Sequence, residues 1–129
     1  MTAFVADACA IIDFFTGNEA MGPTARRVIE DERSEIAVLA TTVWEIAIKT
    51  AAGRLPEMVP PGQTLTAFLT RVGIRSVALT SRTAEAAAAL PLHHRDPFDR
   101  ALIAYALETR STVLTSDAVF GRYGAAVVW

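Results

Sequence analysis

The stretch "LHHRDPFDRALIAYA", residues 92 to 106, sets two histidines, two arginines and two aspartates ahead of an almost wholly apolar run. Asp96 followed by Pro97 is a helix start. The carboxylate of an N-cap accepts a free amide proton of the first turn, and proline at the first helical position lacks only an amide that would have gone unpaired there. Asp99 then falls at the third helical position, within reach of the cap's own amide and near the positive end of the helix dipole. The helix that follows is apolar on nearly all sides, so it needs cover on more than one face. Capping alone accounts for both acids, and the remainder of the chain decides whether they do more.

Outward from this helix, short apolar runs alternate with helical patterns. "AFVA" (3 to 6) precedes Asp7 and the apolar "ACAIIDFFTG", whose Gly17 marks a helix end. "EAMGPTARRVIEDERS" is helical with a break near Gly22 and Pro23, and "IAVLA" (36 to 40) is a buried strand. "TTVWEIAIKTAAG" is expected as a helix capped by Thr42 and closed by Gly53, and "QTLTAFLTRVG" as another closed by Gly73. "RSVAL" is a strand, "TSRTAEAAAAL" a capped helix and "TVLT" (112 to 115) a strand ending before Asp117; "DAVFGRYG" is a turn or short helix, and "AAVVW" closes the chain. Strands alternating with helices predict a parallel sheet covered on both faces. Trp44, Phe98 and Tyr105 are expected in the core, on helices.

The chain has 129 residues, 52% of them hydrophobic, which is the size of one domain with a core of its own, read as 1–129. No repeat or low-complexity segment divides it. No uncharged apolar run reaches the ~18 residues of a membrane span, and Asp7 stands where a signal peptide would be basic, so a cytoplasmic protein without a membrane partner is expected. Cys9, the only cysteine, excludes an intrachain disulfide and a multi-cysteine zinc site. A net charge of −2 argues against a polybasic nucleic-acid binder, so any phosphate contact is local. Lys49 is the only lysine, the other basic residues being arginines, whose planar fork suits phosphate and carboxylate partners.

In open parallel sheets, ligands sit beyond the carboxyl ends of the strands. That rule selects among the 14 acidic residues. Asp7 and Asp117 follow strands, while Glu45, three residues after Thr42, and Asp99, three after Asp96, stand at helix starts. Each has an ordinary structural explanation, as a turn residue, a capping-box partner or a cap. Together, four carboxylates at one edge of an apolar domain repel one another unless a cation lies between them. Oxygen ligands without cysteine favour a hard ion, Mg²⁺ or Mn²⁺, over zinc. One or two such ions beside an open position serve to hydrolyse phosphodiesters with a metal-activated water. His93 and His94 are candidate ligands or proton relays, although adjacent histidines before a cap are more often surface or packing residues.

"ALPLHHRDPFDRALIAYA" together with "TVLTSDAVFGRYGAAVVW" resembles the C-terminal half of PIN-domain ribonucleases of the VapC toxin type, and "TTVWEIAIKTAAGRL" resembles their central helix. The resemblance runs from about Phe4 to Trp129. It departs after the first acid, where a hydroxyl residue is common and this chain has Ala8 and Cys9, and at Tyr105, where Gln is common. The resemblance implies a three-layer α/β/α fold with a five-stranded parallel sheet and a Mg²⁺-dependent endoribonuclease site. It also implies the toxin role in a VapBC-type toxin-antitoxin module, with a cognate antitoxin, an RNA substrate and a homodimer. Carried over by position, Asp7 and Asp99 would be direct metal ligands, Glu45 and Asp117 would bind directly or through water, and Asp96 would lie in a supporting position. Arg54, Arg95 and Arg100 are candidates for RNA phosphates or antitoxin residues, although any one such arginine is more often simply solvated.

Two other catalytic classes are disfavoured. A phosphoacceptor receiver domain needs an acid pair after the first strand and a late lysine, and a haloacid-dehalogenase-like phosphatase needs an acid where Cys9 stands. The alternative that stays open is a catalytically silent protein-binding module on the same fold.

Overall fold

The apolar runs pair into one sheet. In the computed structural model, which describes residues 3–129, its strands are β1 (Ala3–Ala6), β2 (Glu35–Leu39), β3 (Ile74–Val77), β4 (Thr112–Leu114) and β5 (Val127–Val128). Their order is β3-β2-β1-β4-β5 and every pairing is parallel. The chain builds outward in one direction from β1 to β3, then crosses to the other side of β1. The crevice beyond the ends of β1 and β4 is therefore a topological switch point, the place where such sheets bind ligands.

Side-chain alternation along the strands makes two cores. Ala6, Ile36, Val38 and Leu114 face a cluster with Ile11, Ile46, Phe68 and Leu69, contributed by α1 (Ala8–Phe15), α3 (Ala40–Ala51) and α4 (Leu65–Arg71), with Ala25 of α2 (Pro23–Glu30). Val5, Leu39 and Val113 face the other way, against Leu102, Ile103 and Ala106 of α6 (Pro97–Thr109) and Phe120 of a 3-10 helix (Ala118–Tyr123). The helix α5 (Ser81–Ala89) packs on α6. The fold is thus a three-layer α/β/α domain, as expected. Each of Gly17, Gly53 and Gly73 lies just past a helix end with positive φ, where a side chain would be strained.

Two local expectations are corrected. The helix α3 starts at Ala40, directly from β2 with Leu39 as its N-cap, so Thr42 is a buried residue inside the first turn and not the cap. Glu45 accordingly lies in the second turn, outside capping-box reach. Nor is Trp44 a core residue, being 60% exposed, while Phe98 and Tyr105 are half-buried. The Trp44 ring meets Phe98 edge-on at 5.3 Å and lines a groove of about 450 Å³ with Leu79, Ala88 and Ala101.

Gly22 is required by close approach. A Cβ there would overlap the main-chain carbonyl carbon and the indole of Trp129. Gly22→Ala is expected to lower stability by about 1–3 kcal/mol, as overpacking does, which thermal unfolding will register as a midpoint several degrees lower.

Candidate functional site

Asp7 follows β1 directly and caps α1, accepting from the Ala8 amide at 2.6 Å. Its other oxygen, Oδ2, accepts from the Thr115 hydroxyl at 2.7 Å and from the Cys9 thiol at 3.6 Å. Only 8% of Asp7 is exposed. Burial raises its pKa above the ordinary value, against the lowering effect of Thr115, Ala8 and Cys9, and the nearby charge of Asp117 adds to the rise.

Glu45 reaches the same place from α3. Burial pushes its carboxyl up, the ammonium of Lys49 at 3.3 Å pulls it down, and Asp7 and Asp96 push it up again. Asp99 is the most perturbed acid. Burial, then the charges of Asp7 and Asp96, drive its pKa to about 7, against the lowering influence of His94, with Glu45 adding to the rise.

Ligand oxygens of Asp7, Glu45 and Asp99 lie within 4.8 Å of one another. A second group, sharing Asp99, joins His94, Asp99 and Asp117 within the same distance. Asp117 caps the 3-10 helix through the Val119 amide at 2.9 Å, and its Oδ2 lies 3.2 Å from His94 Nε2. The sequence-selected acids Asp7, Glu45, Asp99 and Asp117 therefore form two overlapping groups with Asp99 common to both. Asp96 belongs to neither. It caps α6, accepting from the Phe98 amide at 2.9 Å, and acts on Glu45 and Asp99 by its charge.

Such an assembly of partly buried carboxylates is what a hard divalent cation requires. The oxygens come from three separate elements, and proton uptake at Asp99 relieves part of their repulsion when no cation does so. The residues present fit a Mg²⁺ or Mn²⁺ ion. Asp7, Glu45 and Asp99 would offer an all-oxygen set, with Asp117 beside it and His94 Nε2 between Asp117 and Asp99.

Several placements were not legible from sequence. His94 is a member of the site, with Nε2 2.7 Å from Asp99 Oδ2, so the surface-or-packing reading is wrong for it. That reading holds for His93, which is exposed with its ring against Tyr123 at 5.0 Å. Thr115 supplies Asp7 with a hydroxyl contact across the sheet, although Ala8 offers none, and also accepts from the Asp117 amide at 3.1 Å. Its only sequence signal is its place at the end of "TVLT". Cys9 is half-buried beside Asp7. Asp13 lies outside both groups, accepting from the Asn18 side chain at 3.1 Å. Arg100 is not free to meet phosphates: it is buried, and its guanidinium donates to main-chain carbonyls. Arg54 and Arg95 are exposed.

Solved structures similar to the chain in fold include the following three. One is VapBC2 from Rickettsia felis bound to a DNA fragment from its promoter, with 10% identity and a TM-score of 0.71, covering 98% of each chain. Another is a toxin-antitoxin complex from Klebsiella pneumoniae, with 16% identity and a TM-score of 0.69, covering 98% of this chain and 97% of that one. The third is FitAB bound to the IR36 DNA fragment, with 16% identity and a TM-score of 0.60, covering 97% and 93%. Among curated proteins, none matches. The family model for the PIN domain matches residues 4–126, and the chain belongs to the PIN domain family.

Proposed function

We propose that this protein is a metal-dependent endoribonuclease and the toxin of a VapBC-type toxin-antitoxin pair, acting as one PIN domain over 1–129. The observation that carries the catalytic part is the sharing of Asp99 between two groups of ligand atoms at the sheet's switch point. Asp7, Glu45 and Asp99 would hold Mg²⁺, or Mn²⁺, with Asp117 completing the site directly or through water. A divalent ion there would supply Lewis acidity toward a phosphate oxygen and lower the pKa of water. The chain's own groups would do the rest. Thr115 and the Ala8 amide orient Asp7, the Asp96 cap aims Asp99, and Asp117 stands where it can orient an attacking water. No protein nucleophile is needed.

Arg95 and Arg54 remain the candidates for holding RNA phosphates. The structural relatives named above include toxin-antitoxin complexes, which supports a cognate antitoxin as partner. A homodimer is the other partner in this reading, and the exposed Trp44 beside the apolar groove offers it a surface.

Purified protein incubated with RNA tests the proposal. Cleavage in Mg²⁺ or Mn²⁺ that stops with EDTA, and on addition of the antitoxin, is expected. The rival, a silent binding module, predicts antitoxin binding with neither cleavage nor carboxylate-dependent ion uptake.

A further inference from the structure

The connection between α5 and α6, residues 90–96, carries His94 into the acidic site without regular secondary structure. A guanidinium holds it from one side. From α6, Arg100 donates through Nη1 to the carbonyls of Pro91 at 2.9 Å and His94 at 3.0 Å. Through Nη2 it donates to those of Ala87 at 2.8 Å, Ala88 at 3.3 Å and Leu90 at 2.7 Å. No carboxylate pairs with Arg100 among the described residues. Its charge is met by carbonyls at the carboxyl end of α5, where the helix dipole is negative.

Tyr123 holds the same connection from the other side. Its hydroxyl donates to the Pro91 carbonyl at 2.7 Å and accepts from the His94 amide at 2.8 Å. The main chain of His94 is thus fixed at both its N–H and its C=O. The imidazole Nδ1 accepts from the Asp96 amide at 3.3 Å, so the ring hydrogen is on Nε2, aimed at Asp99 and Asp117.

We propose that Arg100 is a positioning residue of the acidic site and acts through His94. By fixing the main chain of the connection, it sets where the imidazole stands between Asp99 and Asp117, and hence the spacing those two carboxylates offer a divalent ion. The proposal rests on the reading of the site as a metal centre. A guanidinium serving only to cap α5 would matter to stability but not to the site through His94.

A double-mutant cycle distinguishes the two. Mn²⁺ affinity is measured by calorimetry without RNA in wild type, Arg100→Met, His94→Ala and the double variant, with unfolding midpoints and the ¹⁵N resonances of the His94 ring recorded for the metal-free proteins. Arg100→Met is expected to shift the His94 resonances and weaken Mn²⁺ binding by about tenfold, with the double variant no weaker than His94→Ala alone. Additive losses, or an unmoved His94 spectrum in a folded Arg100→Met protein, would overturn the proposal. If Arg100→Met does not fold, Arg100→Lys, which keeps the charge but cannot span the same carbonyls, replaces it in the same cycle with the same outcomes. A wild-type protein that binds no Mn²⁺ defeats the metal-centre reading, and the His94 resonances then decide the positioning claim alone.

Discussion

Asp99→Asn is expected to abolish divalent-ion-dependent RNA cleavage, by on the order of 10³-fold or more, while making the metal-free protein more stable at neutral pH. Both effects have one cause. Asp99 is the acid shared by the two ligand groups, and burial together with Asp7 and Asp96 holds its pKa near 7. An acid whose folded pKa is raised binds its proton more tightly folded than unfolded, so its contribution to stability is lost as pH rises from the unfolded value toward 7. The amide removes that penalty. After allowance for solvent screening of a partly exposed group, the gain is roughly 1–2 kcal/mol at pH 8, or a midpoint several degrees higher. Cleavage assays and thermal unfolding at pH 5 and pH 8 check the pair of effects. A variant that cleaves normally, or one less stable than wild type at pH 8, contradicts the assignment.

The second large effect is the response to metal. An ion at a hundred times its dissociation constant stabilises the fold by about 2.7 kcal/mol, so Mg²⁺ or Mn²⁺ should raise the unfolding midpoint by roughly 10 °C at pH 8. The ion competes with protons on Asp99, and also on Asp7 and Glu45, whose pKa values are raised as well. The stabilisation is therefore expected to shrink as pH falls through 7 and to be nearly gone by about pH 5. A midpoint shift equal at both pH values would mean that the ion binds elsewhere.

Much of the architecture could be read from the chain because it depends on local patterns. Strand-length apolar runs, Pro97 behind Asp96, and glycines after helices each state an element or its end. The carboxylates that gather at the switch point were also legible, since strand ends and helix starts are marked in sequence and the sheet carries them to one edge. Contacts that join distant segments were not. The Thr115 hydroxyl meets Asp7 only because β1 and β4 are neighbours, a pairing that its place at the end of "TVLT" does not announce. In sequence Arg100 is one candidate among several for phosphates or antitoxin residues, because its actual partners are main-chain carbonyls, which every residue has and no pattern distinguishes. Trp44 was placed in the core on its apolarity, but helical periodicity does not say that one flank of α3 would lie open. A hydroxyl residue such as Thr42 favours the cap position, but β2 runs into α3 without a loop and leaves it inside the first turn.

In the proposed mechanism Asp7, Glu45, Asp99 and Asp117 form one ion-holding centre. The most direct measurement is the anomalous difference map of crystals soaked in Mn²⁺, collected for wild type and Asp99→Asn. A peak among the oxygens of Asp7, Glu45 and Asp99 is expected in wild type, with none in the variant. A map without a peak there, or a peak that persists in Asp99→Asn, would contradict it.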